Sequence, residues 1–444
     1  MISHPGATER SLEGDIAADI GVVGAGFTGL WTALCLKELQ PAINVVIVEK
    51  AFAGYGGSGR NAGIVGETVD HSHGLAVRHF GKEEAMRLVS IGVNNFEQMV
   101  AFLTANQIDC EYEPTGRLHV ALTEEQVCEA KRNLDAAVEL GVRNLQFLDA
   151  QQIQAEIHSP LYRGAVFSPT GGILNPMKLI DGLKKTAIRQ GIRIFENSPG
   201  LRIGKGKLET AGGALHAEKI VLAMDAYTHH LQPALLKRFI PLYDYIVVSR
   251  QLTASELEKI GWKRRQGVTD DRTFFNYYRL TSDKRIVWGT SEAKYYAPNR
   301  VDEAFDHSEQ HYDALRTSFR KHFPQMGDLP FEYAWGGPIA STTRLTPFFG
   351  ALEKDRLLYG LGYTGHGIAA SRLGGKILAH LALETPSDLL NLSLVRKKPF
   401  PFPPEPLRSV AVKLVTRSLR QVDEGRKAGW LLQVLDHFGI GFSS

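Results

Sequence analysis

Gly24-Ala-Gly26-Phe27-Thr28-Gly29 places three glycines at GxGxxG spacing, and Glu49 follows twenty residues after the last. In that spacing the first glycine permits a tight turn and the second lets backbone N–H groups approach a pyrophosphate. The third lets a helix pack closely on a sheet. A carboxylate at the position of Glu49 accepts hydrogen bonds from ribose hydroxyls and repels a 2′-phosphate. An ADP-containing cofactor, FAD or NAD, follows from this pattern. Directly after it comes a second glycine-dense run, Ala53-Gly-Tyr-Gly-Gly-Ser58-Gly59-Arg60-Asn61-Ala62-Gly63. It holds too few apolar side chains to fill a core and is expected against something flat and polar. A third cluster, Gly362-Tyr-Thr-Gly365-His366-Gly367-Ile368, opens a helical pattern whose N–H groups and positive end can stabilise negative charge.

These clusters need elements to hold them. Residues 19–24 are a short branched apolar run, and Leu30, Trp31, Ala33, Leu34, Leu36 and Leu39 recur at helical spacing before Pro41. Residues 44–49 read as a second buried strand, which completes a βαβ unit. Amphipathic helices over 83–106 and 123–140 flank a strand near 116–122, where a different sheet begins. A helix over 177–190, a strand at 192–195 and another at 219–223 return to the first unit. Short aromatic and β-branched strands over 240–292 predict an antiparallel sheet, and 302–323 reads as one long helix. A strand at 356–361 and a helix over 368–383 close the body. Beyond them lie a proline-rich linker, 397–406, and a tail.

Composition narrows the function classes. The 444 residues hold 51 Lys+Arg against 48 Asp+Glu, a net charge of +3, too even for a nucleic-acid partner. Three cysteines, Cys35, Cys110 and Cys128, form neither a disulfide framework nor a CxxC site. Fifteen histidines, among them His71, His73, His229 and His230, lack a metal-ligand spacing, so no metal is expected. The N-terminus does not read as a signal peptide, and no uncharged apolar run reaches the ~18–20 residues of a membrane span, so a soluble cytoplasmic protein is expected. Residues 396–444 carry +5 of the charge, and Leu407, Val410, Ala411, Leu414, Val415 and Val422 recur there at helical spacing. Docking of this tail on the body or on a second subunit is expected, with an anionic membrane or another partner as the alternative.

GxGxxG, Glu49, the SGRNAG segment and the late GYTGHGIAASRLGGKILA run together resemble the D-amino-acid oxidase superfamily of FAD enzymes over residues 15–395, most of all its γ-glutamylputrescine oxidoreductase-like branch. The resemblance implies an α/β fold: a discontinuous Rossmann-like FAD-binding domain over 15–85, 160–225 and 335–395, and a substrate domain built on an antiparallel sheet over 86–159 and 226–334. The stretch 396–444 stands apart as the basic proline-rich linker and helical tail. The residues expected to hold FAD are Gly24, Gly26, Phe27, Thr28 and Gly29 of the first turn, with Glu49 and Lys50 after the second strand. Ser58 to Gly63 are expected beside pyrophosphate and flavin, Gly200 and Leu201 near the adenine, and Ala223 at the end of its strand. Gly362, Gly365, His366, Gly367 and Ile368 are expected at the flavin ring. Gly200 stands where the family often has a branched residue.

Two departures from the sarcosine oxidases of this superfamily carry weight. Their flavin-linking cysteine corresponds to Ser341, which implies noncovalent FAD, and their carboxylate-binding lysine corresponds to Ala369, which weakens the case for a simple α-amino acid. The expected reaction is oxidation of a C–N bond of a primary or secondary amine to an imine that hydrolyses, with O2 or another electron acceptor. Amino-acid oxidation and a flavoprotein acting as a binding module are the alternatives, and a homo-oligomer is possible. Candidate pocket residues are Phe274, Phe275, Asn276, Tyr277, Tyr278 and Arg279, with Tyr243, Tyr245, Trp335 and Phe348, whose aromatic faces attract ammonium groups. His366, Arg60 and Tyr278 are the candidates for a catalytic role, although no dedicated acid–base residue is expected.

Overall fold

The computed structural model describes residues 8–69, 73–354, 356–427 and 429–437. His71 and the last residues of the tail lie outside them. Two eight-stranded sheets organise the chain. In the first, Phe348–Leu352, Leu357–Leu361, Ala214–Leu222, Ile16–Val23, Val45–Val48 and Arg193–Phe195 lie side by side. All pair in parallel except the first two, and a hairpin of Gly200–Gly204 and Lys207–Thr210 extends Ala214–Leu222. Val45–Val48 is buried at every residue, as befits a parallel strand covered on both faces. Helices Phe27–Leu39 and Gly367–Leu383 cover one face with Leu30, Trp31, Leu34, Leu373 and Ile377 in a shared core. This is the discontinuous Rossmann-like domain that the sequence implies.

The second sheet runs Phe331–Ser341, Ile240–Ser249, Ile286–Lys294, Asn276–Leu280, Gly267–Asp270, Arg117–Ala121, Gly164–Ser168 and Gln146–Asp149. Every pairing is antiparallel except that of Gly267–Asp270 with Arg117–Ala121. Tyr162, Tyr278, Trp288, Phe319 and Phe323 pack behind it with almost no exposure.

The expected domain boundaries shift where pairing and packing override local pattern. Gly164–Ser168 pairs with Arg117–Ala121, so it belongs to the second sheet although 160–225 is expected in the first domain. Phe331–Ser341 likewise pairs along its length with Ile240–Ser249, which moves the boundary expected at 335. In the other direction, helix Lys82–Ala105 buries Leu88, Phe96, Met99 and Leu103 against the first domain's core. The helix expected over 302–323 begins only at Glu309, because Glu303–Phe305 forms a separate turn and Asp306 turns toward Arg60.

Gly29 fixes how closely the first helix approaches the first strand. A Cβ there would lie 1.9 Å from the Gly24 carbonyl oxygen, which belongs to backbone and cannot swing away. Gly29→Ala is therefore expected to displace the helix and strip cofactor. Soluble yield and bound flavin should both fall, and a variant purifying with full flavin content would contradict this packing.

Candidate active site

The first strand ends at Val23, and Gly24 turns at φ +105° with its N–H donating to the Val48 carbonyl at 2.9 Å. A Cβ at Gly24 would meet the Ala223 carbonyl at 2.7 Å, so the turn needs glycine twice over. Gly26 starts helix Phe27–Leu39 without a side-chain cap, and the first turn holds no acidic residue. The Phe27 N–H donates to Ser58 Oγ at 2.9 Å, which draws the SGRNAG segment onto the helix N-terminus. Glu49 is buried and its carboxylate accepts from Ala25 N–H at 2.8 Å and Ala51 N–H at 3.1 Å. Burial raises its pKa, and those two N–H donors act against the rise.

These elements open onto one cavity of about 1090 Å³ beneath the second sheet. Gly24, Gly26, Phe27, Thr28, Glu49 and Lys50 line it, as do Ser58, Arg60, Asn61, Ala62 and Gly63. Gly200, Ala223, Gly365, His366, Gly367 and Ile368 line it too. Gly29, Gly59 and Gly362 stand behind this wall. Gly362 N–H donates to Asp225 Oδ1 and Ala340 N–H to Asp225 Oδ2, both at 2.9 Å, so one carboxylate pins the late glycine loop to the second sheet. Nothing in the sequence pattern marks Asp225 for this. Leu201, expected near the adenine through its backbone, has a side chain 60% exposed and is not among the residues lining the cavity.

Strand alternation also sorts the aromatic candidates. In Ile240–Ser249, Ile240, Leu242, Asp244 and Ile246 face the cavity, whereas Tyr243 and Tyr245 enter the core behind the sheet. Tyr277 reaches the cavity, but Tyr278 is fully buried behind the sheet, stacked on Trp288 and hydrogen-bonded to Tyr162. Tyr278 is therefore a core residue and not a catalytic candidate. Phe274, Phe275 and Trp335 line the cavity; Asn276, Arg279 and Phe348 do not.

Arg60 lines the cavity yet is nearly buried and engaged on several sides. Its Nη1 lies 2.5 Å from Asp306 Oδ2 and donates to the Gly336 carbonyl at 2.8 Å, while Nε donates to the Tyr55 carbonyl at 2.8 Å. Its own carbonyl accepts from Trp335 Nε1 at 2.9 Å. Arg60 thus ties the glycine-rich loop to the second domain as a positioning residue. His366 occupies the cap position of helix Gly367–Leu383 and lines the cavity.

The tail docks on the body of the same chain. Helix Leu407–Asp423 turns Leu407, Val410, Leu414 and Leu419 to the cavity. Asp423 accepts from Thr273 N–H at 2.8 Å and Phe274 N–H at 2.9 Å, Arg420 pairs with Glu292, and Arg408 Nη1 donates to Asn299 Oδ1 at 2.6 Å. The stripe of apolar residues is legible in the sequence, but the wall it forms is not.

Among the described residues no helix is long and apolar enough to cross a membrane, and no cluster of His, Cys, Asp and Glu is placed to hold a metal.

A parallel sheet ending in a glycine turn, an acidic residue on the next strand and an antiparallel sheet roofing the cavity define a flavin-dependent oxidoreductase. The chain belongs to the FAD dependent oxidoreductase (DAO) family, whose model matches residues 19–381. It is 29% identical over 375 residues to the gamma-glutamylputrescine oxidoreductase of Escherichia coli (strain K12), covering 84% of this chain and 85% of that protein. It is 27% identical over 376 residues to the probable oxidoreductase OrdL of Haemophilus influenzae, covering 82% and 83%. The solved glycine oxidase of Geobacillus kaustophilus shares the fold with a TM-score of 0.71 at 22% identity, over 86% of this chain and 99% of that one. FAD is the cofactor, and the uncapped helix, the open glycine turn and the buried carboxylate suit its ADP half.

Two outcomes follow. Glu49→Gln removes an ionised acceptor and should weaken FAD binding by roughly tenfold or more, since hydrogen bonds to a charged group are worth about 1.5–3 kcal/mol each. Fluorescence of FAD released on dilution measures it, and unchanged retention would exclude Glu49 as a ligand. Truncation before Leu407 should lower the melting temperature and open the cavity to solvent. An equal melting temperature would mean that the tail contacts contribute nothing.

Proposed function

We propose that the enzyme oxidises a C–N bond of a primary or secondary amine to an imine, which hydrolyses to an aldehyde or ketone plus amine or ammonia. The observation that carries this reading is the state of the cations around the cavity. Arg60 is committed to Asp306 and Arg117 to Glu67 at 2.6 Å, Arg408 to Asn299 and the Pro403 carbonyl, and Lys50 lies 3.9 Å from Glu303. Ala369 lines the cavity at the position that corresponds, by the resemblance, to the carboxylate-binding lysine of sarcosine oxidases. A substrate carboxylate therefore finds each of the three lining arginines already engaged, and the remaining lining lysine, Lys50, stands among the residues proposed to hold FAD. The amine in the name of the Escherichia coli relative supports the same substrate class.

The residues proposed to hold FAD are the cavity-lining members of the three glycine clusters, with Glu49, Lys50, Gly200 and Ala223. FAD supplies a two-electron acceptor for hydride from the substrate carbon. The chain contributes position, charge and exclusion of water. Helix Gly367–Leu383, led by Gly365-His366-Gly367, offers its positive end to negative charge in the cavity. Tyr277, Trp335, Phe274 and the tail's aliphatic residues give the opposite side an apolar lining. With Ser341 at the cysteine position, FAD is proposed to be noncovalent, so acid precipitation should leave the yellow colour in the supernatant. The acceptor that reoxidises it is O2 or another carrier. Three free cysteines, two of them buried, support a reducing compartment such as the cytoplasm.

Hydride leaves the carbon only when the nitrogen lone pair is free, whereas an alkylammonium with a pKa of ~10 is protonated at pH 7. Three pH units correspond to about 4 kcal/mol, and a dry cavity offsets part of this by disfavouring the cation. The rate of flavin reduction, followed in anaerobic stopped flow, should therefore rise with pH along a limb that moves with the pKa of the amine supplied. A limb fixed across amines would assign it to an enzyme group, with His366 the first residue to replace. Bleaching by glycine or proline but by no amine would overturn the reading.

A further inference from the structure

Asp244 is a carboxylate set in an otherwise aliphatic row. On the cavity face of Ile240–Ser249 it stands between Leu242 and Ile246, and across the sheet its register partner is Gly337. It is partly buried and accepts from the Tyr277 hydroxyl at 2.5 Å and from Tyr245 N–H at 2.8 Å. Among the described residues no Lys, Arg or His forms an ion pair with it. The other carboxylates of the cavity wall have structural work: Glu49 holds Ala25 and Ala51, and Asp225 pins Gly362 and Ala340. Asp244 holds only the Tyr277 hydroxyl and its own strand neighbour.

An ionised carboxylate held out of water without a cation is unfavourable. Burial pushes the Asp244 carboxyl up to about 7, against the pull of the Tyr277 hydroxyl. A cation entering the cavity would bring it back toward its ordinary range. The surroundings suit a cation: Tyr277 and Trp335 pack in one cluster with Ala62 of the glycine-rich loop, and aromatic faces attract ammonium groups.

We propose that Asp244, oriented by Tyr277, binds the ammonium group of the substrate and makes the cavity selective for cationic amines over neutral or anionic molecules of the same shape. The proposal rests on the amine-oxidation reading and adds the residue that recognises the amine. The ion pair serves recognition on entry; loss of the nitrogen proton before hydride departure is a separate step. Because Tyr277 reaches Asp244 from the neighbouring part of the sheet, it is a positioning residue.

Binding is separated from chemistry by using holoenzyme whose flavin has been photoreduced under anaerobic conditions, so that no amine can be oxidised. Isothermal titration with n-butylamine, 1-butanol and butyrate at pH 8 then reads recognition alone. Wild-type enzyme is expected to bind the ammonium form at least roughly tenfold tighter than the alcohol or the carboxylate. Asp244→Asn, with its flavin content verifying the fold, should lose that preference, and Asp244→Glu should keep part of it. Tyr277→Phe, which spares the carboxylate, should keep the preference with weaker affinity. An Asp244→Asn holoenzyme that retains the full preference would overturn the proposal, as would a wild-type enzyme with no preference for the cation, a result that needs no variant. Failure of amines to bleach the oxidised enzyme would strike the reaction class and leave this binding result standing.

Discussion

The site depends on the parallel pairing of Ile16–Val23 with Ala214–Leu222, two strands almost two hundred residues apart in the chain. Their register brings Val23 opposite Leu222, so that Ala223 N–H donates to the Val23 carbonyl at 2.9 Å just where Gly24 turns. From that junction the first helix departs, Val45–Val48 delivers Glu49, and Asp225 reaches across to the late glycine loop. Parallel neighbours require crossover connections: three strands of the second sheet lie within this one, and the other five lie within the next, between Ala214–Leu222 and its parallel neighbour Leu357–Leu361. The geometry that forms the cofactor site therefore also places a roof over it.

That roof and the glycine-rich loop are joined by charge as much as by packing. The Arg60–Asp306 pair is buried between them, and removing one partner of such a pair leaves an uncompensated charge at a cost of about 3–5 kcal/mol. Arginine at position 60 is thereby withdrawn from substrate binding, and Arg117 is withdrawn by Glu67. The walls are left with aromatic and aliphatic surface, to which the tail contributes from outside both domains, and with Asp244, a carboxylate that holds neither a cation nor a cofactor loop.

The sequence made the nucleotide half legible because its constraints are local: a glycine turn, a helix and an acidic residue at fixed spacing each have one physical reason. Strand alternation in Ile240–Ser249 is legible in the same way: it sends Tyr243 and Tyr245, both expected in the pocket, into the core and leaves Asp244 between them on the cavity face. The same alternation puts Tyr277 in the cavity and Tyr278 behind the sheet. Asp225 and Asp306 could not be read at all, since each acts on residues brought close only by the fold. Domain boundaries at 160 and 335 fell where local composition changes, whereas the pairing of Gly164–Ser168 and Phe331–Ser341 is decided by partners far along the chain. The tail's amphipathic pattern predicted a docked helix, but which surface it covers depends on the Asp423, Arg420 and Arg408 contacts.

The central claim is that this cavity brings the carbon beside an amine nitrogen to the flavin. Single-turnover reduction of the oxidised holoenzyme with n-butylamine and with its α,α-dideuterated form tests it most directly. Cleavage of that C–H bond predicts flavin reduction by both, several-fold slower with deuterium, and butyraldehyde as the recovered product. Flavin that stays oxidised with this and every other amine, while an amino acid reduces it with its own deuterium effect, would contradict the account.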